Sequence, residues 1–225
     1  MTRKLITLGL VATLAAICVP ASFAAGESGS AAGAAQADAP ETAPDVLVRH
    51  VTDEVLDIVR NDKAIQSGDT RRVLELVHER VLPHFNFSRM TMLAVGKDWR
   101  GTTPEQQTRL TNAFRSLLVR TYSNALTQYR DQTIDVKPLR AAAGDNRVKV
   151  STEVRQSGAQ PIPIDYSLEK TAQGWKVFDV IVAGVSLVTN YRGEFGDRIR
   201  AGGIDGLIAA IETRNKTLES RQGGQ

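Results

Sequence analysis

The sequence predicts an α+β fold, a curved antiparallel sheet of about four strands packed on one long helix, with further helices before and after. Two observations carry this. Between Thr103 and about Arg130 the residues Leu110, Ala113, Phe114, Leu117, Leu118, Tyr122, Ala125, Leu126 and Tyr129 recur at spacings of three, four and one, as one helical face does. From Arg147 onward the period becomes two. Val148, Val150, Thr152 and Val154 alternate with charged and polar neighbours, and so do Ile162, Ile164, Tyr166 and Leu168.

Taken in order, the chain opens on Arg3 and Lys4 before an apolar run from Leu5 to Val19, with small residues at Ser22 and Ala24. This reads as a signal peptide over residues 1–24, cleaved near Ala24, so the expected location is the periplasm. Cys18, the only cysteine, lies inside that run and leaves the mature chain without a thiol. A lipoprotein signal is the rival reading of Cys18, but Ile17 before it fits such cleavage poorly. Without Arg3 and Lys4 the 28 basic side chains become 26 against 25 acidic ones, so a pI near 9.1 overstates the basicity of the working protein. Nucleic acid is not an expected partner. A hydrophobic content of 42% and a charged content of 24% fit a globular chain. Residues 25–44, rich in Gly, Ala, Ser, Glu and Pro, read as a flexible leader. A single domain over about 45–220 follows, helical to about 130, with the sheet over about 131–183 and terminal helices over about 186–218.

Val48, Val51, Val55, Ile58 and Val59 mark a first helix, and Asp69 caps a second that carries Val73, Leu74, Val77, Val81 and Leu82 until Pro83 stops it. A short helix with Asn86 or Ser88 as cap ends at Gly96, and Trp99 occupies the following turn. Thr103, Pro104 and Gln106 form a capping box with proline at the first helical position. If helical throughout, the long helix measures roughly 40 Å.

Ile134 and Val136 suggest a first strand, and Trp175 to Val182 a fourth that loses its alternation in Val180-Ile181-Val182. A strand apolar on both faces is covered on both, or lines a cavity. Gly184 breaks it, and Gly202-Gly203 reads as a stop between two terminal helices, the last carrying Ile204, Leu207, Ile208 and Ile211.

Catalytic and metal motifs are missing from the sequence. His50, His78 and His84 stand in no ligand spacing, and no nucleophile elbow, phosphate loop or dinucleotide fingerprint occurs. Neither a catalytic residue nor a metal or cofactor is expected. Asp179 alone has a claim as a general base, because it interrupts the apolar fourth strand. The plainer reading, that it pairs with an arginine or caps a loop, is preferred because nothing supplies its catalytic partners.

The segments VFDVIVAGVSLVTNYRGEF from Val177, GGIDGLIAAI from Gly202 and PHFNFSRM from Pro83, with Gly96, Trp99, Phe114, Leu117, Tyr122 and Tyr129 at matching spacings, resemble the MlaC family. These are the periplasmic phospholipid-binding components of the Mla lipid-asymmetry pathway, also known as the toluene-tolerance auxiliary family. The resemblance spans about Val46 to Leu218. Asn86 departs from the aspartate usual there, and both cap helices comparably. The resemblance implies a nuclear-transport-factor-like sheet and long helix, a phospholipid held by its acyl chains, and no cofactor. The partners it implies are an outer-membrane lipoprotein bound to a porin, and an inner-membrane ABC transporter with a lipid-conducting ring.

The expected cavity lining is Leu117, Leu118, Tyr122 and Leu126 on the helix, Val150, Val154, Ile164, Tyr166 and Leu168 on the sheet, and Val180, Val185 and Leu187 near its end. For each residue, plain core packing is the competing reading, since alternation cannot separate a pocket from a closed interior. Arg89, Arg115 and Arg192 are candidates for a phosphate or an acidic partner, with solvated helix faces as the plainer reading. Two other functions remain open at this point. An isomerase would need Asp179 and Tyr166 to face one another, and a scaffold protein would have a filled core.

Overall fold

The computed structural model describes residues 42–129, 131–142 and 144–222. The expected signal peptide and most of the expected leader lie outside them. The leader was expected to reach Pro44, but Pro44 is the first residue of helix α1 (Pro44–Asn61), where its missing N–H is not needed.

Short polar side chains start each of the next helices. Asp62 Oδ1 accepts from the amides of Ala64 and Ile65 to open α2 (Lys63–Gln66), and Asp69 Oδ1 accepts from Arg71 and Arg72 to open α3 (Thr70–Leu76). The second expected helix does not run on regularly to Pro83. Val77–Val81 forms a π-helical turn and Leu82–His84 a 3-10 turn. Asn86, rather than Ser88, caps α4 (Phe87–Val95), its Oδ1 accepting from the Arg89 amide at 3.0 Å. Gly96, at φ 72°, ends that helix, and Trp99 lies in the 3-10 turn that follows.

Helix α5 (Pro104–Tyr122) begins on the expected capping box, with Gln106 N donating to Thr103 Oγ1 at 3.2 Å and Thr103 N to Gln106 Oε1 at 3.1 Å. It is shorter than expected. Ser123–Gln128 winds as 3-10, where the Thr127 hydroxyl donates to the Asn124 carbonyl at 2.8 Å, so the α-helix measures about 28 Å rather than about 40 Å. The Ser, Asn and Thr of this stretch favour such local bonds over helix continuation. Arg130, the expected end of the helix, lies outside the described residues.

The sheet is antiparallel and ordered β1 (Thr133–Val136), β2 (Arg147–Arg155), β3 (Ile162–Thr171), β4 (Gly174–Val182) and β5 (Val185–Ser186). The four expected strands are present and β5 adds a short fifth. Val150 faces Tyr166, Thr152 faces Ile164, and Tyr166 faces Val180. Between Ser167↔Asp179 and Leu168↔Val177, Phe178 is an extra residue, a bulge that shifts the alternation of β4, while Val180-Ile181-Val182 pairs regularly, with Val180 and Val182 on one face and Ile181 on the other. Ala183 (φ 50°) and Gly184 (φ 83°) form the two-residue turn to β5, both with the positive φ that tight hairpins require. Along the far edge, Arg60 donates to the Gln132 carbonyl and Arg49 to that of Val136.

Helix α6 (Leu187–Gln222) is two helices joined across a kink at Gly203 (φ 66°, ψ −167°), as the double glycine suggested. Its inner side meets α5 through Phe114, Tyr191 and Phe195, whose rings sit 5.0–5.6 Å apart. Asn215 Nδ2 also donates to the Ala113 carbonyl at 2.9 Å. The buried residues gather in three separate clusters: α4–α5–α6, α1 with α3 and Val119, and the sheet with Val48. The core is therefore divided rather than continuous.

Gly203 occupies a backbone region open essentially to glycine alone, with nothing within 4 Å of an added Cβ. Gly203→Ala should lower the unfolding free energy by about 1–3 kcal/mol through backbone strain. Gly193→Ala, helical and equally unobstructed, should raise it by about 0.4–1 kcal/mol. Urea titration of both variants checks the pair, and equal effects would remove the strain argument.

Candidate ligand cavity

Where the three clusters meet, they leave a cavity of about 360 Å³, within the range of ligand pockets. Helix α1 forms one wall through Leu47, Val48, Val51, Thr52, Val55 and Leu56. The π and 3-10 turns add Val77, Val81, Leu82 and His84, and the next segment adds Phe85, Phe87 and Met90. Leu118, Val119, Tyr122, Ser123, Leu126 and Tyr129 come from α5 and the turn after it. The sheet closes the cavity with Ile134, Ile164, Tyr166, Val177, Val180 and Val182, and Leu187 stands at the start of α6.

Among the described residues, no carboxylate, lysine or arginine lines this wall. His84 is the only imidazole in it, and burial followed by the Lys176 ammonium holds it below the ordinary histidine value, with Glu54 acting the other way. The imidazole is thus neutral at neutral pH. Two wall residues are exposed, Tyr122 at 43% and Val182 at 36%, so the cavity opens between the end of α5 and the end of β4.

Seven of the twelve residues expected from the sequence border the cavity: Leu118, Tyr122, Leu126, Ile164, Tyr166, Val180 and Leu187. The other five do not. Leu117, one step further round α5, is 1% exposed in the cluster with α4 and α6. Val150 and Leu168 are fully covered in the sheet cluster, which Leu47 and Val48 of α1 join. Val154 pairs with Ile134, which reaches the cavity in its place. Val185 is 58% exposed on the β4–β5 hairpin. The sequence reading also omitted the α1 wall altogether. Its Val48, Val51 and Val55 stripe was visible as a helix face, but periodicity names no partner for a face.

Asp179 caps a helix. Its Oδ2 accepts from Ser186 Oγ at 2.6 Å and its Oδ1 from the Val188 amide at 3.2 Å, at the start of α6. Tyr166 pairs with Val180 and Ser167 with Asp179, so the phenol and the carboxylate occupy opposite faces of the sheet. The arrangement an isomerase would need is not formed. Among the described residues no group of three or more His, Cys, Asp or Glu is placed to hold a metal ion, and no helix is long and apolar enough to cross a membrane.

Comparison with known proteins gives consistent results. A phospholipid-binding protein from Ralstonia solanacearum, solved in complex with a phospholipid, superposes with a TM-score of 0.74 at 37% identity, over 79% of this chain and 99% of that one. The intermembrane phospholipid transport system binding protein MlaC of Haemophilus influenzae is 25% identical over 175 residues, 76% of this chain and 82% of its own. A toluene tolerance protein of Pseudomonas putida is 36% identical over 106 residues, 47% of this chain and 49% of its own. The MlaC protein family model matches residues 49–213, from the first cavity-lining helix into the last helix. On that match, which takes in all five strands and almost the whole cavity wall, the chain belongs to the MlaC family.

Proposed function

We propose that the protein is a periplasmic phospholipid carrier, exported by its amino-terminal signal, which shields acyl chains in the cavity and moves lipid between the outer and inner membranes. The observation that supports this most is a cavity wall whose described residues carry no fixed charge, set between three apolar clusters and open at one end. Two acyl chains with about 30 methylenes carry on the order of 24 kcal/mol of transfer free energy, so a bare lipid crosses water very slowly. A wall of Val, Leu and Phe side chains removes most of that barrier. The relatives named above, a phospholipid transport protein and a protein solved with phospholipid, support the same cargo. No bond is made or broken in this function and no cofactor takes part. The proposed partners are an outer-membrane lipoprotein–porin complex and an inner-membrane ABC transporter with a lipid-conducting ring, which exchange lipid with the cavity and thereby maintain outer-membrane asymmetry. Release requires the wall to open or the partner to supply equal contacts, since affinity for one closed state would hold the lipid.

Native mass spectrometry of the mature protein, with organic extraction, should find about one phospholipid per chain. Leu126→Asp, which puts a carboxylate into the wall at a half-buried position, should cut bound lipid at least about tenfold while the chain stays folded. Leu117→Asp should instead unfold the α4–α5–α6 cluster. Undiminished lipid in Leu126→Asp would remove the cavity assignment. A wild type without lipid, and unable to take any up, would favour a scaffold.

A carrier wall must also stay neutral. Burial, with the Tyr129 phenol adding to it, pushes Tyr166 up to about 12, and burial pushes Tyr191 to about the same value. For Tyr166 the folded state therefore favours the protonated phenol. Its contribution to stability is complete below about pH 10 and is lost as pH rises through about 12. Tyr166→Phe should flatten the fall in urea-unfolding free energy between those pH values, leaving the part due to Tyr191. An unchanged alkaline slope would place the Tyr166 hydroxyl in water.

A further inference from the structure

Leu82, Phe85 and Phe87 line the cavity and also border a second, open cleft of about 470 Å³, whose remaining lining includes Asn86, Arg115 of α5 and Lys176 of β4. Phe85 and Phe87 stack with ring centroids 5.7 Å apart, so this aromatic pair is the partition between the two spaces. The chemistry changes across it. Among the described residues the cavity wall has no fixed charge, whereas the cleft lining has two cations and no carboxylate.

Neither cation of the cleft is in an ion pair among the described residues. Of the three arginines singled out from the sequence, Arg192 donates twice to the Leu93 carbonyl, at 3.0 and 2.8 Å. Arg89 stands 3.5 Å from Glu169 and 6.0 Å from the centre of the Phe178 ring. Arg115 has neither an ion pair nor a hydrogen-bond partner among the described residues. Lys176 donates to the Pro83 carbonyl at 2.7 Å but makes no ion pair there. Its cross-strand neighbour Glu169 is taken by Arg89, by Arg147 at 3.9 Å and by Asn86 Nδ2 at 3.0 Å. Two other cations at this end of the sheet, Arg89 and Arg147, thus already share the Glu169 carboxylate.

Arg115, Leu118 and Tyr122 follow one another at i, i+3 and i+7 along one face of α5. Along that face the surroundings pass from the cationic cleft, through the apolar cavity, to an opening edged by exposed Tyr122 and Val182. An amphiphile has the same sequence of parts. We propose that the cleft is a phosphate subsite, in which Arg115 and Lys176 hold the head-group phosphate of the lipid whose chains occupy the cavity. This rests on the carrier reading above. The glycerol lies at the edge of the Phe85–Phe87 pair and the chains lie along the apolar wall of the cavity. Arg115 supplies a planar fork that matches two phosphate oxygens, and Lys176 a point charge.

The test compares phosphatidylglycerol with a diacylglycerol of identical chains, each carrying the same chain-end fluorophore and delivered to the full mature protein from cyclodextrin. The wild type should bind phosphatidylglycerol at least about tenfold more tightly, and the gap should close in R115Q/K176Q through loss of phosphatidylglycerol affinity. Raising the salt concentration should narrow the wild-type gap without any substitution, a measurement that does not depend on how the variant folds. A gap that survives both changes, or no gap in the wild type at low salt, overturns the subsite. A wild type that binds neither lipid defeats the carrier reading instead. Inorganic phosphate binding the wild type more tightly than phosphatidylglycerol would overturn the lipid source and make the cleft a free-phosphate site.

Discussion

Helix α5 is packed on three sides, and the rest of the structure depends on that. Successive residues of an α-helix point about 100° apart, so Leu117, Leu118 and Val119 face three directions. Leu117 enters the cluster with α4 and α6, Leu118 lies at the border between that cluster and the cavity, and Val119 joins the cluster made by α1 and α3 and reaches the cavity from its other side. A helix with one apolar stripe would have joined a single core to the sheet. With three neighbours it holds three clusters apart, and the space between them persists because no one cluster can close over it.

The parts legible in the sequence were those decided locally. Thr103 with Gln106, Asp69 and Asn86 each fix a helix start by hydrogen bonds within three residues, and the alternation of β2 and β3 follows from the pleat itself. The end of α5 was misjudged because apolar spacing continued through Leu126 and Tyr129, while Ser123, Asn124 and Thr127 tightened the backbone beneath it. Both residues still reach the cavity, from a 3-10 turn rather than an α-helix.

The site was harder to read, for a different reason. Val150, Leu168, Ile164 and Tyr166 point to the same face of the sheet, and nothing in their spacing distinguishes them. Val150 and Leu168 are closed over in the sheet cluster with Leu47 and Val48, while Ile164 and Tyr166 stay open to the cavity. The difference lies in a helix about 100 residues earlier in the chain. Asp179 shows the reverse case. A lone acid in an apolar strand suggested chemistry, yet its oxygens serve Ser186 and Val188, and the bulge at Phe178 shifts the alternation beside it.

The two borders of the sheet bear on how a molecule with an open apolar cavity avoids self-association. An open, oily hollow invites chains to stick together, and an unpaired strand beside it would give them a template on which to do so. Here β5 is only two residues long and β1 four, and guanidinium groups from α1 occupy carbonyls at Gln132 and Val136. Beyond β5, the Phe85–Val177 bridge and the Asn86 amide on the Val177 carbonyl take up part of the β4 edge as well. The borders are thus interrupted by side chains and loops, which works against fibre-like growth from the sheet.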